Sequence, residues 1–273
     1  MRGKVRRGRV VSAMMALALA GALAGCSQTA RKAVSAQTTA STGAPSQQNV
    51  AMMSARDLQA AADSVGKLYV RDPRDKAVAL RYANILQMSG RADQSLAVMR
   101  KLAIDHPKDR DVLAAYGKAL AAVGELEPAL DAIRRAQTPE YPDWRLLSAE
   151  GAILDQLGKP DEARALYRRA LDLRPDEASV LSNLGMSYLL QGDLKTAEIY
   201  MAKAVAAPGA DSRVRQNLAL VVGLQGRFND AEAIARRELS PEQAEANVAY
   251  LRAMIAQRDG WSEIAREDAA NAI

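Results

Sequence analysis

Two side chains raise chemical questions because each is the single example of its kind: the thiol of Cys26 and the imidazole of His106. With one cysteine and one histidine, no intrachain disulfide and no Cys/His metal site can be assembled. A catalytic imidazole also needs a nucleophile and an orienting carboxylate. Asp105 and Asp109 stand close to His106 in "IDHPKD", but acidic residues and proline in so short a run mark a solvated turn. Paired carboxylates occur in "ELEPA" (125–129) and "PDEA" (160–163), where helix N-termini favour acidic residues on electrostatic grounds alone. No phosphate-cradling glycine loop and no GxSxG turn is present. These residues do not ask for an enzyme, and no catalytic residue, cofactor, metal or small-molecule substrate is expected.

Cys26 has a clearer context. Arg2 to Arg9 form a positive segment, Val10 to Leu23 an apolar run, and the run ends in Leu23-Ala24-Gly25-Cys26. A run of 14 residues is short for a membrane span but normal for a signal peptide. The four-residue ending resembles the lipobox of bacterial lipoprotein precursors. That resemblance implies cleavage of residues 1–25, acylation of the Cys26 thiol and then of the freed amine. Several acyl chains anchor stably where one is marginal. Ser27, rather than Asp, implies transfer to the outer membrane, with the protein facing the periplasm and outer-membrane lipid as one partner. Residues 26–53 are rich in Ser, Thr, Gln and Ala and read as a flexible tether, with a reach of roughly 30 Å.

Charge supports this division. Residues 1–25 hold five of the 37 basic residues and no acidic one, which leaves 32 basic against 32 acidic in the remainder. A near-neutral chain gives no support for nucleic acid as a partner. The composition, 49% hydrophobic but only 4% aromatic and rich in alanine, favours helices packed at close range over a sheet.

The elements that must carry any function come from a repeat. Gly90, Gly124, Gly158, Gly192 and Gly226 each end an apolar stretch, and successive members are 34 residues apart. Each can cap the C-terminus of a helix in the left-handed conformation. Small residues recur around them: Ala83, Gly117, Gly151, Gly185 and Ala219 before, and Ser95, Ala129, Ala163, Ala197 and Ala231 after. They would let paired helices approach closely. Pro128 and Pro160 suit the first turn of second helices, and Pro107 and Pro175 suit the turns between units. The period resembles the tetratricopeptide repeat, two antiparallel helices per unit. It implies an all-α tetratricopeptide-repeat superhelix, an α-solenoid. The predicted units are 76–109, 110–143, 144–177, 178–211 and 212–245, preceded by a lone helix within 54–75 and followed by capping helices in 246–273. A capping helix is expected to begin at Pro241, and a short second one over Trp261–Ile273. The fifth unit departs from the pattern, with Glu238 where a small residue is usual.

Stacked units of this kind curve, with first helices on the concave side. The repeat phase places Asn183, Met186, Leu189, Leu190, Arg213, Gln216, Asn217, Leu220 and Leu224 on that face in units four and five. The strip is apolar and edged by amides, and suits a segment of a partner protein. Leu190, Leu220 and Leu224 would give apolar contact, Asn183, Gln216 and Asn217 would hold a partner's backbone, and Arg213 would favour an acidic group. Some of the leucines can instead serve packing between repeats. Ala114, Lys118 and Ala121 in unit two and Ser148, Ala152 and Asp155 in unit three make a blander face. The paired Lys/Asn pattern of chaperone-binding clamps is absent.

Residues 181–254, and above all "SRVRQNLALVVGLQGRF", resemble the C-terminal half of the TadD family, lipoproteins of Flp pilus (tight adherence) assembly. The organisation of lipobox, polar tether, repeats and terminal helices is similar too. The resemblance implies a pilotin-like or scaffolding role toward the pilus secretin or other parts of the Tad machinery. A general periplasmic adaptor for envelope proteases or cell-wall enzymes is the alternative.

Overall fold

The computed structural model describes residues 53–138, 140 and 142–271, with side chains described as far as Gln257. The predicted signal segment, Cys26 and all of the predicted tether except Met53 lie outside the described residues. Twelve helices and no strand make up the regular structure of the described residues. Helix α1 (Ala55–Arg71) precedes five helical pairs: α2 (Lys76–Met88) with α3 (Ala92–Asp105), α4 (Arg110–Ala122) with α5 (Leu126–Ala136), α6 (Trp144–Gln156) with α7 (Pro160–Leu173), α8 (Ala178–Leu190) with α9 (Leu194–Ala206), and α10 (Ser212–Leu224) with α11 (Phe228–Ala235). Helix α12 (Pro241–Asn271) follows.

Both ends of each first helix are set by residues on the 34-residue period. The start is an acidic residue: Asp75, Asp109, Asp143, Glu177 and Asp211. The four aspartates accept from first-turn backbone N–H groups, for example Val78 on Asp75 and Val214 on Asp211. Such caps are worth about 1 kcal/mol each. The end is the predicted glycine, and the five have φ of 73, 83, 74, 81 and 81°. In the first unit the Arg91 N–H reaches Leu86 O at 2.9 Å and the Gly90 N–H reaches Gln87 O at 3.1 Å, which satisfies carbonyls the helix leaves open.

The small residues act where the two helices of a pair cross. A Cβ on Gly117 would lie 2.8 Å from Ile133, one on Gly151 2.7 Å from the ring of Tyr167, and one on Gly185 3.1 Å from Met201. Each glycine is the hole into which one large side chain of the second helix fits. In the first unit Ser95 Oγ donates to Ala83 O at 2.8 Å across the same crossing. Each second helix also packs on the first helix of the next unit, and successive first helices touch one another. That contact puts the first helices on the inner side of the stack. Buried leucine, isoleucine and alanine run through it continuously, from Ala79 to Leu184 in the largest cluster.

Two expectations change at the C-terminal end. Helix α11 has 8 residues where α7 has 14. Glu238 stands one period after the fully buried Ala204, cannot take that buried place, and instead forms an ion pair with Arg215. The chain leaves the helix before reaching it. The two predicted capping helices are one, Pro241–Asn271, beginning inside the range predicted for the fifth unit. Helix α12 buries Ala244, Val248 and Leu251 against the last pair. Among the described residues no helix is long and apolar enough to cross a membrane.

Candidate functional site

The first helices bring one residue per unit into register on the inner face. The row six residues before each capping glycine is Asn84, Lys118, Ala152, Met186 and Leu220, and the row two residues before it is Met88, Ala122, Gln156, Leu190 and Leu224. All ten are exposed or half-buried. Apart from Met88 at the start of the stack, the inner face thus changes from polar and small side chains in the first three units to apolar ones in the last two.

The apolar members of the predicted site fall into three groups. Leu190 is 47% exposed and carries no core duty. Met186, Leu220 and Leu224 are half-buried and lean on the cluster of Leu189, Ala197, Met201 and Val221, so each both packs the repeats and shows an edge to solvent. Leu189 itself is 4% exposed and belongs to the core.

The polar members already have partners within the chain. Asn183 Nδ2 donates to Ser148 Oγ at 3.0 Å, and Asn217 Nδ2 donates to Ser182 Oγ at 3.2 Å. These two bonds span the same 35 residues and join first helix to first helix, unit three to four and unit four to five. Each amide is oriented by its serine and keeps its carbonyl oxygen as an acceptor. Gln216 Nε2 donates to Ser212 Oγ of its own helix at 3.0 Å. Arg213 is held by Asp211, with Nε and Nη2 donating to Oδ2 at 3.0 and 2.9 Å. Its expected attraction for an acidic group is largely answered by that neighbour. Adjacency in sequence hid this, because Asp211 reads first as a turn residue.

The third-to-fourth junction holds a buried polar joint. Asp155 accepts from Tyr167 Oη at 2.9 Å and from Ser187 Oγ at 2.7 Å. Tyr167 comes from the second helix of unit three and Ser187 from the first helix of unit four. Burial pushes the Asp155 carboxyl up, against those two hydrogen bonds and the charge of Arg164. Burial, with the nearby Asp155 charge, also pushes the Tyr167 hydroxyl up. Ser148, only 6% exposed, and Asp155 therefore join repeats and do not offer themselves to a ligand. A second tie lies beside it: Tyr188 stacks on Tyr200 with ring centroids 5.5 Å apart, and Arg168 donates to Tyr188 Oη at 3.0 Å.

Toward the N-terminal units an open pocket of about 400 Å³ lies between the starts of α4 and α6, lined by Asp109, Arg110, Asp111, Ala114, Asp143 and Leu146. Its acids are engaged. Lys76 Nζ lies 2.6 Å from Asp109 and 3.4 Å from Asp111, and holds the Asp109 carboxyl below the usual carboxylate range. Asp143 caps α6 through the Arg145 N–H at 2.8 Å. Among the described residues no cluster of His, Cys, Asp and Glu is arranged to hold a metal ion.

The tetratricopeptide repeat matches this chain over residues 52–119 and again over residues 149–212. In structure it is similar to a thermophilic tetratricopeptide-repeat protein of Thermus thermophilus, at 23% identity and TM-score 0.55, covering 63% of this chain and 96% of that one. It is similar to PilW, described as a widely conserved type IV pilus biogenesis factor, at 18% identity and TM-score 0.58, covering 71% and 91%. PilF of Pseudomonas aeruginosa aligns at 18% identity and TM-score 0.50, covering 71% and 90%. No curated protein matches the chain in sequence. The fold is an all-α tetratricopeptide-repeat solenoid, and at these identities the likeness speaks to fold alone.

Proposed function

We propose that this chain is a non-catalytic scaffold lipoprotein, anchored in the outer membrane through Cys26 and facing the periplasm, that takes part in assembling an Flp-type pilus. Its partner is a segment of the pilus secretin or of another protein of that machinery, bound along the inner face of units four and five. The observation that carries this reading is the strip of Leu190, Met186, Leu220 and Leu224, left partly open to solvent on the inner face of a stack whose other large apolar residues are mostly buried. The resemblance of residues 181–254 to the TadD family supplies the pilus, and the likeness to PilW and PilF is compatible with it.

The test replaces Leu190 and Leu220 by serine, singly and together, in the bacterium that carries the protein. Exposed Gln87 in unit one is changed to Ser as the control. Burying one leucine in an interface contributes about 1.5–3 kcal/mol, so each groove change weakens binding about tenfold or more. Secretin multimers and surface pili fall in the groove variants and hold in the control, with each protein's melting checked alongside. Normal multimers and pili in folded, correctly located groove variants would remove this face as the working surface. Normal multimers and pili in a strain deleted for the whole protein would favour the general envelope adaptor.

A further inference from the structure

The inner face carries a charge whose role nothing in the fold explains. Lys118 stands in the middle of α4, exposed, and among the described residues makes no hydrogen bond and no ion pair. Of the other cations near this face, three are at least partly answered: Lys76 by Asp109 and Asp111, Arg213 by Asp211, and Arg110 Nε by Ala136 O at 2.8 Å. Arg81, one unit earlier, has its Nε buried without a hydrogen-bond partner among the described residues and is not open to solvent as Lys118 is. Two charged groups act on Lys118 from the next unit, Asp143 and Arg145, and they oppose one another. Arg145 also lies 3.9 Å from Asp143 and draws on the same carboxylate. Desolvation is the largest influence on Lys118 and lowers its pKa, as expected of an ammonium that water reaches but protein surrounds on the concave side.

The position of Lys118 gives this charge a direction. Lys118, Ala152, Met186 and Leu220 occupy the same register in four successive first helices, 34 residues apart. Between the cation and the apolar end lies a small side chain, Ala152, with Ala149 beside it, both half-buried and neither filling the face. Packed helices lie about 8–10 Å apart, so Lys118 is about 16–20 Å from Met186, two first helices on, and about 24–30 Å from Leu220, three on. An extended chain advances about 3.3 Å per residue. Met186 and Leu220 are therefore about five to nine residues of extended chain away from Lys118. The oriented amides of Asn183 and Asn217 flank the apolar end, each with an acceptor oxygen free for a backbone N–H.

We infer that the occupant of the inner face is an extended protein segment of two parts, an acidic residue that pairs with Lys118 and apolar side chains, about five to nine residues away, that seat on Met186, Leu190 and Leu220. The inference rests on the reading that the inner face is the working surface, and it adds the partner's chemistry and spacing. Arg213, the cation the sequence suggests for an acidic group, is paired with its own acid; Lys118, three units earlier, is in no ion pair among the described residues.

A random library of 16-residue peptides displayed on phage, panned on the full-length chain in detergent micelles, reads this directly. On the native chain the enriched sequences carry Asp or Glu set about five to nine residues from a pair of apolar residues. Panning on Lys118→Glu loses the acidic preference and gains Lys or Arg at that place, while keeping the apolar pair. Panning on Leu220→Ser loses the apolar pair. A synthetic peptide of the enriched sequence binds Lys118→Glu about tenfold more weakly or worse, and the loss narrows as salt is raised. Enrichment of apolar pairs that depends on Leu220 but shows no acid, or an acid indifferent to Lys118→Glu, overturns this inference and leaves the groove reading standing. Enrichment that is the same on the native chain and on Leu220→Ser, or none at all, overturns both.

Discussion

In the third unit the ring of Tyr167 lies so close to Gly151 that an added Cβ would be 2.7 Å from it, and in the fourth Met201 fills the space over Gly185. The fifth unit sets Ala219 against Ala235 at the corresponding places, with relative exposures of 9% and 6%, where Tyr167 has 1% and Met201 none. The middle pairs interlock a large side chain with an empty site, and the last pair lays two methyl groups side by side. The last pair then gains stability by other means: the Arg215–Glu238 ion pair, and Leu251 of α12 brought down onto Gly223. In a repeat protein each unit depends on its neighbours. The middle of the stack is thus fixed by shape within a unit, and the end is fixed by what is laid over it.

The largest effect that can break this contrast is expected at Tyr167. Tyr167→Ala leaves a cavity against Gly151 and removes one of the two donors to Asp155, and costs about 3–5 kcal/mol. Ala235→Gly, in the looser pair, costs about 1 kcal/mol, chiefly through helix propensity. Urea unfolding of the full chain followed by circular dichroism measures both. Equal losses would show that the last pair is as tightly specified as the middle ones.

A single methyl group gives a finer comparison. Gly151→Ala drives its Cβ against a ring wedged between helices, and costs about 1–3 kcal/mol even after the gain in helix propensity. In Gly223→Ala the new Cβ would stand 2.4 Å from Leu251 Cδ2, a nominally worse clash, but its other near neighbour, Ala231 Cβ, is at an ordinary 3.4 Å. Leu251 Cδ2 is the far end of a flexible side chain on the terminal helix and can turn away. The gain of about 1 kcal/mol from replacing a helical glycine offsets the displacement, so the melting temperature stays nearly unchanged. A drop as large as that of Gly151→Ala would mean that α12 is locked to the stack and does not merely lie on it.

This contrast also marks how far the sequence could be read. The glycine period, the small residues at the crossings and Pro160 at the start of α7 are visible because each answers a local backbone requirement that one residue type meets. The acidic caps Asp75, Asp109, Asp143, Glu177 and Asp211 keep the same period, yet they read singly as turn residues, and only their recurrence distinguishes them. The joints between units are not legible at all. Asn183 and Ser148, or Asp155 and Ser187, are ordinary polar residues until the stack sets first helix beside first helix. At the C-terminus the sequence suggests a break near Gly260, but no competing cap or proline enforces one there, and the helix continues to Asn271. Of the face proposed for binding, the apolar strip is readable from its register. Which of its polar neighbours are already occupied depends on pairings the sequence does not display.

The smallest effect concerns the polar joint that the fifth unit lacks. Burial raises the Asp155 carboxyl above its unfolded value of about 3.9. A carboxyl with a raised folded pKa binds its proton more tightly in the folded chain. The folded state therefore gains stability as pH falls from above that raised value to below about 3.9, and above that window the buried charge is a cost. Asparagine cannot titrate, and the hydroxyls of Tyr167 and Ser187 can each donate to its oxygen or accept from its nitrogen. Asp155→Asn is accordingly as stable as the native chain at pH 7, or more stable by up to about 1 kcal/mol. The difference turns toward the native chain as pH is lowered into the carboxylate range. Urea midpoints of the two proteins, compared at matched pH values from 7 downward, measure that difference free of the acid sensitivity they share. An Asn variant weaker than the native chain at pH 7, and weaker by the same amount at every pH, would mean that the joint depends on carboxylate geometry, with no contribution from its titration. The middle of the stack would then be fixed at this junction, as at Tyr167 and Gly151, by shape.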